Sequence, residues 1–210
     1  MRFPKSKSRV VAAAAVAVLL AVGGWQAFKP SGKPAQNTGE QKPGQSGQVQ
    51  TSPSSSSQPA VNSSLPYIET AGFKYQEPSG WAQMSQKVLD SSGAASGIAR
   101  PTAPAATFTL KVSEATPKDD NDLKNSILDE LKKFSHFELK SASETKVDGE
   151  GGQKFVYNFS DKNGDNKVTQ QMSVIVNKNK TYFLLFSSAA ADLDKQTGDF
   201  AQILASFHFK

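Results

Sequence analysis

The stretch from Lys154 to Ser187, KFVYNFSDKNGDNKVTQQMSVIVNKNKTYFLLFS, decides the fold. Lys154 to Ser160 and Lys167 to Val176 are rich in aromatic and β-branched residues, and a polar run, Asp161-Lys162-Asn163-Gly164-Asp165-Asn166, separates them. That pattern predicts a long β-hairpin. A second polar turn, Asn177-Lys178-Asn179-Lys180, leads straight into Thr181 to Ser187. Strands joined by turns this short must run antiparallel, because a parallel crossover needs a dozen or more residues.

Working outward, Thr107 to Ser113 places Phe108, Leu110 and Val112 on one face of a half-buried strand. Asp119, with Asp120 or Asn121, caps a helix running to about Phe134, with Leu123, Ile127, Leu128, Leu131 and Phe134 on one face. Lys132 and Lys133 fall in its last turn, where the helix dipole favours cations. A strand is expected around Phe137 to Leu139. Leu193, Phe200, Leu204 and Phe207 mark a C-terminal helix, closed by the short strand Phe207-His208-Phe209. On the N-terminal side, Phe73-Lys74-Tyr75 reads as a strand. Ser91 to Ala106, dominated by Gly, Ala, Ser and Pro, reads as loop with a weak strand near Ile98. The expected order is β-β-α-β-β-β-β-α-β, an α+β domain over 67–210 with helices packed on the faces of an antiparallel sheet.

Before Tyr67 the composition changes. Arg2, Lys5, Lys7 and Arg9 form a basic start over residues 1–9, followed by an uncharged run from Val10 to Phe28. As helix that run spans about 28 Å, close to a bilayer core. The basic residues before it outweigh Lys29 and Lys33 after it, so the N-terminus is expected in the cytoplasm and the rest outside. The reading is a single-pass signal anchor over 10–28, with Trp25 and Phe28 at the outer interface. The alternative is a cleaved signal peptide and a secreted chain, since the strongest apolar stretch ends at Val22 and Ala21-x-Gly23 is a small-x-small site. Residues 29–66 follow, of which 25 of 38 are Ser, Gln, Pro or Gly, including the run Ser54 to Ser57. With so little apolar surface to offset ordering entropy, this segment is expected to be a disordered tether with a mean reach of about 35 Å.

Charge follows the same division. Residues 1–66 hold seven basic groups against Glu40, a net of +6. Residues 67–210 hold 17 of the 24 basic and 18 of the 19 acidic groups, a net of −1. A near-neutral domain has no electrostatic footprint for a phosphate backbone, so no nucleic-acid partner is expected. The chain has no cysteine, which removes thiolate metal sites, thiol nucleophiles, disulfides and a lipid-modified cysteine together.

The candidates for chemistry each have a stronger structural reading. His136 and His208 are the two histidines, too few for a metal site without cysteine. Asp161, Asn163 and Asp165 imitate the start of a calcium loop, but the sixth and twelfth positions are Asn166 and Met172 where Gly and Glu are needed. A hairpin turn is preferred. Gly149, Gly151 and Gly152 read as loop glycines, not a phosphate cradle, because no helix follows. Trp81 and Phe73 read as core residues before ligand-binding aromatics. No catalytic, cofactor or metal residues are therefore assigned.

The opening Gly72-Phe73-Lys74-Tyr75-x-x-Pro78-x-Gly80-Trp81 carries a resemblance. So do the strand Thr107 to Ser113 with its following helix, the run Tyr182 to Ala189, and the closing Ser206-Phe207. Together these resemble the PsbP-like family, including DcrB-like envelope proteins, over about residues 70–210. The resemblance implies an antiparallel sheet flanked by helices in an α/β/α sandwich, and action through protein binding without catalysis. The chain is thus expected to be a membrane-tethered, non-catalytic binding or adaptor module of a bacterial cell envelope, with an envelope protein as partner and no cofactor. A sensor or carrier of a small apolar ligand is the alternative.

Overall fold

The computed structural model describes residues 64–160 and 167–210. The expected anchor, the tether and the Asp161–Asn166 turn lie outside the described residues, apart from Ser64 to Pro66. Among the described residues no helix is long and apolar enough to cross a membrane.

The strands are β1 Tyr67–Glu69, β2 Phe73–Gln76, β3 Ala82–Gln83, β4 Ser96–Arg100, β5 Ala106–Ser113, β6 Glu138–Val147, β7 Glu150–Phe159, β8 Val168–Asn177, β9 Lys180–Ala189 and β10 His208–Phe209. The helices are α1 Gln86–Ser92, α2 Asp120–Leu131 and α3 Leu193–Ala205. Two sheets form, one of three strands in the order β1-β2-β10 and one of seven in the order β3-β4-β5-β9-β8-β7-β6. Every pairing is antiparallel.

β9 lies between β5 and β8 and is buried on both sides. Tyr182, Leu184 and Phe186 point into one core cluster and Phe183 and Leu185 into the other, as the twofold alternation of a strand requires. The first cluster is closed by α3 through Phe200 and Ile203, by the small sheet through Phe73 and Tyr75, and by Phe207 between α3 and β10. Phe186 stacks on Phe200 with centroids 4.8 Å apart, and Tyr75 meets Phe108 edge-on at 5.1 Å. The second cluster is closed by α2, whose Leu123, Ile127 and Leu131 cover Phe155, Tyr157, Met172, Phe183 and Leu185. The Asp119 side chain caps α2 as expected, accepting from the Asp122 backbone N–H at 2.8 Å.

The structure corrects the sequence reading in several places. The stretch read mainly as loop contains a full strand, β4. Its Gly97 is in close contact with Met84 and Leu89, at 2.9 and 3.1 Å from where a Cβ would stand, so the small residues that imitate a loop are there to admit the chain around α1. That helix had no expectation. β6 is ten residues long where only its first residues were expected, and its burial pattern shows why. It is exposed almost throughout and has no apolar alternation to read. Lastly, β10 pairs with β2, outside the main sheet.

Gly149 occupies a turn with φ 82°, as a loop glycine would, but Gly151 and Gly152 are strand residues of β7. A Cβ on Gly152 would overlap the Val174 carbonyl of β8 and the Ile175 side chain, whereas one on Gly151 meets nothing within 4 Å. Gly152→Ala is therefore expected to destabilise the domain by about 1–3 kcal/mol, the usual range for overpacking. Gly151→Ala should be neutral or slightly stabilising, because it restricts the unfolded chain without a clash. Urea denaturation of the two variants side by side checks the difference.

Candidate functional site

Among the described residues no cluster of three or more His, Asp or Glu side chains could hold a metal ion. His136 sits in the turn between α2 and β6 with φ 54°. His208 sits on β10, and its Nδ1 is 2.9 Å from Asp148 Oδ1. Asp148 follows the last residue of β6, so the two histidines lie near opposite ends of a ten-residue strand and share no site.

Asp148 also accepts from the Phe209 backbone N–H at 2.8 Å. The same end of the molecule gathers further ties on the C-terminal residues. Lys178 Nζ donates to the Lys210 carbonyl at 2.6 Å. Lys210 Nζ donates to the Thr70 carbonyl and meets Glu69, both at 2.6 Å, and Lys210 holds the Glu69 carboxyl below its usual range. These contacts bind the hairpin turns and the small sheet to β10. Their geometry is that of a clasp.

A second polar group joins β4, α3 and the segment after β2. Asp199 Oδ2 accepts from Trp81 Nε1 at 2.9 Å and from Arg100 Nη1 at 3.1 Å. Trp81 and Phe73 are both buried, at 5% and 3% exposure, so the core reading of these aromatics holds. A third polar group crosses the main sheet under α2. The Tyr157 hydroxyl donates to Gln170 Oε1 and Gln170 Nε2 donates to Ser187 Oγ, each at 2.7 Å. Burial pushes the Tyr157 hydroxyl pKa well up, so it stays a neutral donor. Tyr75, bonded to Ser96 Oγ at 2.7 Å, is pushed up to about 12, with burial as the main cause.

Two features had no counterpart in the sequence reading. The first is an open groove of about 410 Å³ between Asp120 at the start of α2 and the β6–β7 hairpin, lined by Glu144, Lys146, Gly151, Gly152 and Gln153 among others. Its wall is polar and holds no paired acid and base at bonding distance. The second is Lys111, which takes the outward-reading slot of β5 next to Leu110 yet is only 4% exposed. Its Nζ lies close over Gly93, the left-handed residue that ends α1. A lysine opposite the apolar face of a strand looks solvent-facing in a sequence; α1 covers it only in the assembled fold.

Fold and contacts together define an α+β domain of antiparallel sheets with a few helices, its buried polar groups joining one element to another. A sequence profile of the PsbP family matches residues 66–209, and the chain belongs to that family. The fold is similar to the solution structure of cyanobacterial PsbP (CyanoP) from Synechocystis sp. PCC 6803, at 19% identity and a TM-score of 0.51. That match covers 71% of this chain and 94% of that one. It is also similar to LpqN, involved in cell envelope biogenesis of Mycobacterium tuberculosis, at 15% identity and a TM-score of 0.49, covering 69% and 90%. No curated protein sequence matches the chain.

Lys111 carries a pH prediction. Loss of hydration on burial lowers its pKa from 10.5 to about 8. The unfolded chain keeps this proton up to about pH 10.5, while the folded one releases it near 8. The burial cost is thus fully present below pH 8 and fades as pH rises from 8 to 10.5. The parent is therefore expected to gain stability between pH 8 and 10.5 and Lys111→Met to lack that gain, and thermal melts of the two across that window check it.

Proposed function

We propose that this protein is a membrane-tethered, non-catalytic protein-binding or adaptor module of a bacterial cell envelope, with its PsbP-family domain on the extracytoplasmic side. The N-terminal region supports the location: a basic start, an uncharged span of bilayer length and a polar Ser/Gln/Pro/Gly tether stand in front of the domain. In the finer architecture of this reading, one transmembrane helix and a disordered linker precede an α/β/α sandwich.

The observation that carries the binding role is how the domain uses its polar groups. Asp199, Asp148, Tyr157 and Gln170 all bond between elements of the fold. What faces outward instead is an extended strand surface, the exposed β6 and the polar groove beside it. Such a surface suits main-chain and polar contacts with another protein.

Two measurements test the proposal. A tag at Lys210 is expected to be lost when protease is added to intact spheroplasts, and to stay with the membranes through an alkaline wash. Protection of the tag overturns the placement outside the membrane; release by the wash overturns the tether. Crosslinked membranes should yield a discrete envelope protein with the full chain and not with a chain lacking residues 67–210. Identical captures by both chains overturn the adaptor role.

A further inference from the structure

We propose that the groove between α2 and the β6–β7 hairpin binds a small zwitterion of the dipeptide class. The ligand's ammonium lies against Glu144 and Asp120, and its carboxylate against Lys146 and the start of α2. Strand register sets out this wall. Glu144 of β6 stands opposite Gln153 of β7, and Lys146 stands opposite Gly151. Alternation puts all four on the side of Phe155 and Tyr157, the face that α2 covers. Asp120, the first residue of α2, lines the same groove.

Gln153 is only 8% exposed, yet among the described residues nothing bonds to its carboxamide. Buried side-chain polar groups are normally bonded within a fold, so this one is placed to meet a group from outside. A Cβ on Gly151 would meet nothing within 4 Å. Its missing side chain therefore leaves open the space that a larger residue would fill. Among the described residues Asp120, Glu144 and Lys146 take part in no ion pair or side-chain hydrogen bond. Glu144 and Lys146 lie two residues apart, about 7 Å along the strand. An extended dipeptide has about the same length. The Asp120 and Asn121 N–H groups precede the first helical bond, from the Leu123 N–H to the Asp119 carbonyl, and have no partner within α2. They favour an anion, as does the helix dipole. A ligand of one sign would meet a like charge at one end of this floor, whereas a zwitterion matches both ends. The volume, about 410 Å³, is in the lower range of small-ligand sites.

Equilibrium dialysis of the full chain in detergent against radiolabelled glycylglycine tests the site. Saturable uptake of one molecule per chain is expected. N-acetylglycylglycine lacks the ammonium and glycylglycinamide lacks the carboxylate, so each should bind at least about tenfold more weakly, because charge-assisted hydrogen bonds are the strong ones. Glu144→Gln should bring glycylglycine down to the level of the acetylated probe, and Lys146→Met to the level of the amide. Gly151→Phe, whose fold a thermal melt confirms, should abolish uptake by filling the groove. Absence of saturable uptake, equal binding of the three probes, or full uptake by the folded Gly151→Phe chain overturns the proposal. The dialysis contains no partner protein, so its outcome is independent of the membrane capture that tests the adaptor role.

Discussion

The rest of the domain depends on β9. Its Tyr182 to Phe186 alternate between two core clusters, so the sheet has to be covered on both sides. Burying a large apolar side chain contributes about 1.5–3 kcal/mol, and that gain is realised only when a neighbouring element excludes water. On one face the cover is α3 with the small sheet, and on the other it is α2. The pairings β5–β9 and β8–β9, eight and ten residues in register, place the donors and acceptors of this buried strand in ladders. That satisfies the demand that buried backbone polar groups be bonded.

Polar side chains then decide how the covering layers sit. Apolar contacts attract without direction, so they do not by themselves fix the angle at which α3 or the small sheet lies on β9. Asp199 does so for α3, by bonding Trp81 and Arg100 together. Asp148 does so for β10, by accepting from both His208 and Phe209. Under α2 the Tyr157–Gln170–Ser187 chain satisfies groups that would otherwise stand unbonded in the core. The Asp199 and Asp148 ties join residues far apart in sequence, so they restrict topology more than local conformation.

The surface follows a different logic. The strands nearest β9 are apolar because they are covered, whereas β6 at the end of the sheet carries Ser, Thr, Glu and Lys because, among the described residues, most of it stays open to solvent. The groove beside it is polar for the same reason.

The strands with a regular pattern were legible in the sequence. β5, β7, β8 and β9 alternate or run apolar, and the two polar turns between them force antiparallel neighbours. α2 announced itself through the Asp119 cap and the spacing from Leu123 to Leu131. Other features were decided by tertiary structure alone. β4 uses small residues to admit Met84 and Leu89, so its composition imitates a loop. β6 is held by β7 and needs no apolar face, so periodicity says nothing of it. Lys111 is buried by a helix some twenty residues earlier in the chain. Sequence patterns record which residues prefer to leave water; they do not record what arrives to cover them, because that depends on contacts between segments the chain brings together only on folding.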